Sequence, residues 1–114
     1  MLYDKGSSPD SIRLSDGQQL SSNVVVLQIA IRIPMSNSLK DKRNILKRIK
    51  SSLRKKYNVS VSEIGDQDVY RRGALAAAMV TEAGNSLDGV MEKILDDLWS
   101  FPEIEVIESR IEFL

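Results

Sequence analysis

The chain has 114 residues, of which 42% are hydrophobic and 28% charged, and its formal net charge at pH 7 is zero. This length and balance are typical of one soluble globular domain. The sequence contains neither cysteine nor histidine, which excludes disulfide bonds, thiolate metal sites and the commonest general base. We therefore expect no bound metal and no cofactor.

Residues 1–22 are rich in Ser, Asp, Gly and Gln and show no regular hydrophobic pattern. This composition predicts a polar leader that is flexible or packed on a neighbouring chain, followed by a folded domain over residues 23–114. The leader lacks a basic region followed by an apolar one, and no apolar run reaches the ~20 residues of a membrane span. We expect a cytoplasmic protein that does not associate with a membrane.

Hydrophobic residues alternate with others from Asn23 to Ile33, which predicts a β-strand with one core-facing side. Pro34 ends this strand, and Ser38 followed by Asp41 forms a weak capping box that predicts the start of a helix. The helix extends from Leu39 to Tyr57, because its hydrophobic residues recur at helical spacing. Its core-facing residues are Leu39, Leu46, Ile49, Leu53 and Tyr57.

A second strand is predicted from Asn58 to Ile64 and a third from about Tyr70 to Thr81, with a turn between them. The alanine-rich part of the third segment is also compatible with a helix on intrinsic propensity. Gly73 and the neighbouring strand favour a strand there. Its predicted core-facing residues are Leu75, Ala77 and Met79.

Ser86 is predicted to begin a second helix that ends near Ser100, before Pro102. Glu103 to Leu114 is predicted to be a strand at the edge of the sheet, because its glutamates discourage pairing with another chain. The order strand-helix-strand-strand-helix-strand predicts an α+β ferredoxin-like sandwich, a four-stranded antiparallel sheet with two helices on one face. The inward residues of the second helix are predicted to be Leu87, Val90, Met91, Ile94, Leu95, Leu98 and Trp99.

The basic residues are strongly concentrated in the first helix. Nine of the sixteen lie between Lys40 and Lys56, where only Asp41 opposes them. In the predicted fold, the start of this helix shares one edge with the turn between the second and third strands and with the end of the second helix. We expect acidic residues of those two segments to offset the cations. These residues are Asp66, Asp68, Asp96 and Asp97.

The same edge has an alternative interpretation as an anion or polar-edge site, because free N–H groups at a helix start bind anions. Lys42 lies within the apolar side of the helix, so we expect its amine to reach past the helix end. An enzyme would use Asp66 or Asp68 there as a base or magnesium ligand, but the spacing matches no such motif and we expect no enzyme. The candidate residues are Lys40, Lys42, Arg43, Asp66, Gln67 and Asp68.

The outer side of the first helix predicts a surface that binds RNA or the ribosome, since its cations suit phosphates. The open face of the sheet carries no aromatic residues on its central strands, so stacking of bases there is not predicted. The candidate nucleic-acid residues are Lys47, Arg48, Lys50, Arg54, Lys55 and Lys56.

The open face of the sheet instead predicts a homodimer or a protein-partner interface, because its residues are small and apolar. The alternative is that the leader covers this face. The candidate dimer residues are Val26, Gln28, Ala30, Ala74, Ala76, Ala78 and Val80.

Several short motifs occur in a characteristic order: SLKDKR at Ser38–Arg43, NVSVSEI at Asn58–Ile64, and DQD at Asp66–Asp68 followed by Tyr70. In this order, the sequence resembles the YlxP-like family of small bacterial proteins of unassigned function, over about residues 24–114. The resemblance implies the ferredoxin-like fold, no known catalytic activity, and genes that neighbour those of translation and ribosome-maturation factors.

Overall fold

The computed structural model describes residues 22–82 and 88–114 and has the predicted order of elements. The strands pair antiparallel in the order β2-β3-β1-β4, which confirms the ferredoxin-like α+β sandwich. The predicted leader up to residue 21, the helix start at Ser86 and the inward Leu87 lie outside the described residues. The elements are β1 (Ser22–Arg32), α1 (Leu39–Lys56), β2 (Ser60–Gly65), β3 (Arg72–Glu82), α2 (Asp88–Trp99) and β4 (Glu105–Phe113).

One hydrophobic core lies between the sheet and both helices. Alternate residues from Val25 in β1 to Ile33 just after it are at most 2% exposed and point to this layer. Both helices bury their apolar sides against the same face of the sheet, so the opposite face is uncovered by them. The helical core residues are Ile45, Leu46, Ile49 and Leu53 of α1 and Met91, Ile94 and Leu98 of α2.

The start of α1 is capped as the sequence predicts. The Asp41 backbone N–H donates to Ser38 Oγ at 3.0 Å, and Ser38 has extended backbone angles. The Asp41 carboxylate accepts from the Asn37 N–H at 2.9 Å, one residue before the partner that a standard capping box uses. These two contacts satisfy backbone donors at and just before the first turn of α1.

The alanine-rich segment is a strand, so the helical alternative is wrong. Ala74 pairs with Ala30 of β1 and Ala78 pairs with Val26, in one uninterrupted register along β3. Leu75 is fully buried, as predicted, whereas Met79 is only partly buried at the margin of the core. Pairing on both sides of β3 outweighs the helix propensity of alanine.

The end of α2 differs from the prediction at one residue. The sequence predicts that Trp99 faces the core, but its side chain is 63% exposed. The preceding residue, Leu98, occupies the buried position instead, and the helix ends at Trp99. A residue adjacent to a buried helical position lies about 100° around the axis, which turns Trp99 out of the core.

The turn between β2 and β3 contains a left-handed residue. Asp66 has a φ of 56°, a conformation that aspartate tolerates better than most residues. The preceding Gly65 remains within β2 and pairs with Ala74, next to an irregularity in the register. The Asp66 carbonyl accepts a hydrogen bond from α1, so the turn is attached to the helix start.

Candidate functional site

Lys42 is buried between α1 and the β2–β3 turn. Only 2% of its side chain is exposed, and its amine donates to the carbonyls of Asp66 and, at 2.8 Å, Val69. Its Nζ also lies 2.9 Å from Glu63 Oε2. This contact is an ion pair that lacks hydrogen-bond geometry at Glu63 Oε2. The amine therefore contacts the β2–β3 turn and is enclosed there.

The contacts of Lys42 explain how the fold tolerates a cation near the positive end of α1. The expected closeness of the helix start and the turn is present, but a glutamate and two carbonyls are the partners of the lysine. Among residues 22–82 and 88–114, no aspartate carboxylate lies within ion-pair distance of it. The sequence contains a signal for the side of the sheet on which Glu63 lies, but not for its partner. Glu63 follows the buried Val61 by two positions on β2 and therefore points to the same, helix-covered side of the sheet.

The rest of the predicted polar edge is accessible to solvent. Within the described parts of the chain, no opposite charge lies within ion-pair distance of Lys40, Arg43, Asp66 or Asp68. No group of three or more acidic side chains among the described residues is arranged to hold a metal ion. The exposed members of the predicted site are Lys40, Arg43, Asp66, Gln67 and Asp68.

An acidic residue near the end of α2 neutralises a cation at the last turn of α1. The sequence predicts this residue beside the first turn of α1 instead. Asp97 accepts from the Tyr57 hydroxyl at 2.6 Å, and its Oδ2 lies 2.9 Å from Lys56 Nζ. The prediction that Asp97 lies beside the start of α1 is wrong, because its contacts are with the last residue of α1 and with the residue that follows it. Glu103, just after α2, lies 2.6 Å from Arg48 in the middle of α1.

These contacts shift the pKa values of the groups involved. The hydrogen bond from Tyr57 holds the pKa of Asp97 below its usual value, with a further contribution from Lys56. Partial burial, followed by the bond to Asp97, raises the pKa of Tyr57. The hydrogen bond to Asp97 raises the pKa of the exposed Lys56. Similarly, the contact with Arg48 lowers the pKa of Glu103.

The structure divides the predicted nucleic-acid residues into two sides of α1. Arg48 and Lys56 face the acids of the segment around the end of α2. Arg54 lies on the other side and donates to the Val61 carbonyl of the edge strand β2 at 2.7 Å. Lys55 is exposed between the two sides.

A cationic stripe follows the side of α1 that carries Arg54. Its spacing of three or four residues keeps five basic side chains on one side of the helix. Lys40 and Arg43, predicted above to belong to the polar edge, therefore align with the predicted nucleic-acid residues. The spacing of the stripe is visible in the sequence. Only the contacts of Arg48 and Lys56 with acidic residues show that the other side of α1 is neutralised. The stripe consists of Lys40, Arg43, Lys47, Lys50 and Arg54.

The open face of the sheet has an uncharged centre and a polar rim. At its centre, residues of β1 and β3 pair directly across the two strands. On the β2 side, Ser60 and Ser62 pair with Ala78 and Ala76. On the β4 side, charged residues pair with β1. The central residues are Val24, Val26, Gln28, Ala30, Ala74, Ala76, Ala78 and Val80, and the charged ones are Glu108, Arg110 and Glu112.

A shallow depression of about 270 Å³ lies on one half of this face. Ala30 and Ala74 form its floor, and Ile64, Glu108 and Arg110 are among the larger side chains around it. The depression results from small residues on two adjacent strands beside larger ones on the outer strands. It supplies shape to the face but no cluster of catalytic groups.

Comparisons with known proteins agree with this description. The family model described as "Protein of unknown function (DUF503)" matches residues 24–111. The "Uncharacterized protein YlxP" of Bacillus subtilis (strain 168) is 40% identical over 78 residues, which cover 68% of this chain and 85% of that protein.

A solved structure, "De novo designed protein Foldit4", has a TM-score of 0.51 with this chain and is 15% identical to it. The match covers 82% of this chain and 97% of the designed protein. At this identity the likeness concerns the fold alone. Among the described residues, no helix is long and apolar enough to cross a membrane.

Proposed function

We propose a function for this chain from its surface, since it belongs to the family of proteins of unknown function DUF503, whose description assigns no activity. The protein binds RNA without catalysis, through the cationic stripe of α1. The single observation that carries this proposal is the difference between the two sides of α1. Acidic groups of the protein neutralise Arg48 and Lys56, whereas the stripe retains its charge.

The part of the chain that the structure describes supplies no acidic partner that accounts for the charge of the stripe. Within the described residues, no carboxylate lies within ion-pair distance of Lys40, Arg43, Lys47 or Lys50. Arg54 donates one N–H to the Val61 carbonyl and keeps its positive charge. Five like charges on one helix side repel one another, so an anionic ligand relieves that repulsion.

The length of the stripe suits a polyanion. From Lys40 to Arg54, fourteen residues at a rise of ~1.5 Å per residue give about 21 Å along the helix axis. A line of charges that long contacts several consecutive phosphates, whereas a small anion would use one end of it. The contacts are to the phosphate backbone, so we expect little dependence on base sequence.

The open face does not supply a stacking platform for bases. Its central positions carry alanine, valine and Gln28, and base stacking needs aromatic side chains. This supports binding by charge along α1 instead of binding across the sheet. The gene neighbourhood that the family resemblance implies favours RNA over DNA as the polyanion.

The decisive experiment compares two matched pairs of substitutions by fluorescence anisotropy with a labelled single-stranded RNA at low salt. Lys47→Gln with Lys50→Gln removes two stripe charges, and Arg48→Gln with Lys56→Gln removes two neutralised ones. The proposal expects the first pair to weaken binding by at least about tenfold, and the second pair to weaken it much less.

Two outcomes contradict the proposal. One is wild-type protein that does not bind RNA at low salt, and the other is an equal loss of affinity in the two double variants. A poly-glutamate peptide serves as a competitor in the same assay. If it displaces RNA at an equal charge concentration, the stripe recognises acidic chains in general and the assignment to RNA is wrong.

A further inference from the structure

We propose that the open face of the sheet is a two-fold interface between two copies of this chain. The eight central residues of this face are alternate residues of two strands, from Val24 to Ala30 on β1 and from Ala74 to Val80 on β3. None of the eight carries a charged side chain. Val80 is 61% exposed although it is a large β-branched residue. An uncharged patch of this kind, rimmed by polar residues, is typical of a protein interface.

The rim is compatible with a second copy related by two-fold symmetry. A two-fold axis parallel to the strands places β2 of one copy opposite β4 of the other. Ser62 then faces Arg110 of the second copy, and Ser60 faces Glu112. Hydroxyl groups are suitable partners for both charges, so this orientation opposes no like charges across the rim.

A two-fold axis across the strands gives a second compatible orientation. An axis midway along the uncharged rows, between the Val26 and Gln28 pairs, places β4 over β4, so that Arg110 faces Glu112 of the second copy. Opposite charges across an interface favour association. The rim therefore accepts a second copy in either symmetric arrangement.

The interface ends where charge reappears on the central strands. Arg32 pairs with Arg72 beyond the last alanine pair, and Glu105 pairs with Arg32 from β4. A second copy extended over this row would bring arginines of the two chains together. The uncharged rows between Val80 and Ala74 thus define the length of the contact.

The area of the patch suits a weak contact. Seven residues along the strands and four strands across give about 24 by 19 Å, from ~3.4 Å per residue and ~4.8 Å between strands. This is about 450 Å² for each copy and about 900 Å² in total, slightly below the ~1,000 Å² of a stable specific interface and in the range of weak, transient ones. We expect a dimer that dissociates on dilution.

Self-association is favoured over binding of an unrelated partner, because the same face carries both the hydroxyl groups and the charged groups that would contact each other. Its neutral serine rim and its charged rim lie on opposite sides of one uncharged centre. Two-fold symmetry brings these sides together without any further component. The stripe of α1 lies on the helix layer, away from this face, so the dimer and RNA binding are separable.

Sedimentation velocity of the full chain, from low to high micromolar concentration, tests the proposal. We expect a monomer–dimer equilibrium, and we expect Ala76→Arg to raise the dissociation constant by at least about 100-fold, since its charge would be buried without a partner. Ser51→Arg adds the same charge on the outer side of α1 and should leave the equilibrium unchanged. Far-ultraviolet circular dichroism and melting temperature report folding of each variant.

Val80→Glu provides an independent variant, because an already exposed side chain is replaced and the core is not disturbed. It should also weaken the dimer, and it decides the question if Ala76→Arg does not fold. The proposal is overturned if the wild-type chain remains a monomer at high micromolar concentration. It is also overturned if folded Ala76→Arg or Val80→Glu associates as tightly as Ser51→Arg.

Discussion

Lys42 Nζ lies 2.9 Å from Glu63 Oε2, in a contact between α1 and β2 that leaves only 2% of the lysine exposed. The same amine donates to the carbonyls of Asp66 and Val69, at the two sides of the β2–β3 turn. One side chain therefore connects the first turn of α1 to the edge of the sheet. Lys42 has a structural role here, in contrast to the exposed lysines that follow it along α1.

Replacement of this lysine should be strongly destabilising. In Lys42→Met the aliphatic stem keeps its packing, but Glu63 and two carbonyls lose their partner. We expect the free energy of unfolding to fall by about 3 kcal/mol, because breaking a buried ion pair leaves an uncompensated charge. Urea-induced unfolding at neutral pH measures the change, with Lys47→Met as the matched control at an exposed position.

The double variant Lys42→Met with Glu63→Gln separates the ion pair from the carbonyl contacts. It should recover part of the lost stability, since the isolated charge is gone, and the remaining deficit should reflect the unsatisfied carbonyls. If Lys42→Met is as stable as Lys47→Met, the structural role assigned to Lys42 is wrong.

The contact between Tyr57 and Asp97 should stabilise the protein in a pH-dependent way. Tyr57→Phe removes a hydroxyl that donates to a carboxylate at 2.6 Å. The site is partly exposed, so we expect a loss of only about 1 kcal/mol near neutral pH. Tyr70→Phe, at another exposed tyrosine, serves as the control and should change stability by less.

The direction of the pH effect follows from the two pKa shifts. The pKa of Asp97 is lowered in the folded protein, so its contribution is present above the usual value of about 3.9 and disappears as the pH falls through the lower folded pKa. The pKa of Tyr57 is raised, so its contribution is present below about 10 and disappears as the pH rises through the folded pKa.

Unfolding by urea, measured for wild type and Tyr57→Phe across this range, should give the largest difference in stability between these limits. The difference should decrease toward strongly acidic and strongly alkaline pH. A difference that is independent of pH would mean that the hydroxyl acts through packing alone.

Loss of the helix cap should have a moderate effect. Ser38→Ala removes the oxygen that accepts from the Asp41 N–H, and we expect about 1 kcal/mol of destabilisation. Ser38→Gly should cost less, since glycine is better tolerated as a cap. Thermal unfolding of the two variants measures this difference. If the loss of stability came from removing the serine in general and not from the cap, Ser38→Gly would lose at least as much stability as Ser38→Ala.

Binding of RNA to the stripe should depend steeply on salt. Five neutralised phosphates on a single strand correspond to a slope of about −3.5 in log K against log salt. Removal of Lys47 and Lys50 should reduce the slope by about 1.4, because each cation displaces ~0.7 counterion. Anisotropy titrations over a range of salt concentrations measure both slopes. A slope near zero in the wild type would exclude the proposed phosphate contacts.

The sequence by itself determined the elements and the fold. Alternation in β1, the cap at Ser38 and the hydrophobic spacing of α1 are local patterns, and their order left few arrangements of a four-stranded sheet. The strand over the alanines required one non-local argument, because intrinsic propensity favours a helix there. The sequence predicts that Trp99 faces the core, but it is exposed instead, because it lies about 100° around the helix axis from the buried Leu98.

Only the tertiary structure decided which charges are free. The sequence shows nine basic residues in the region of α1 but does not show that Lys42 is buried against Glu63, nor that Arg48 and Lys56 meet Glu103 and Asp97. Those partners are distant along the chain. Charge pairing acts through space over a few ångströms, so a pattern local in sequence cannot determine it.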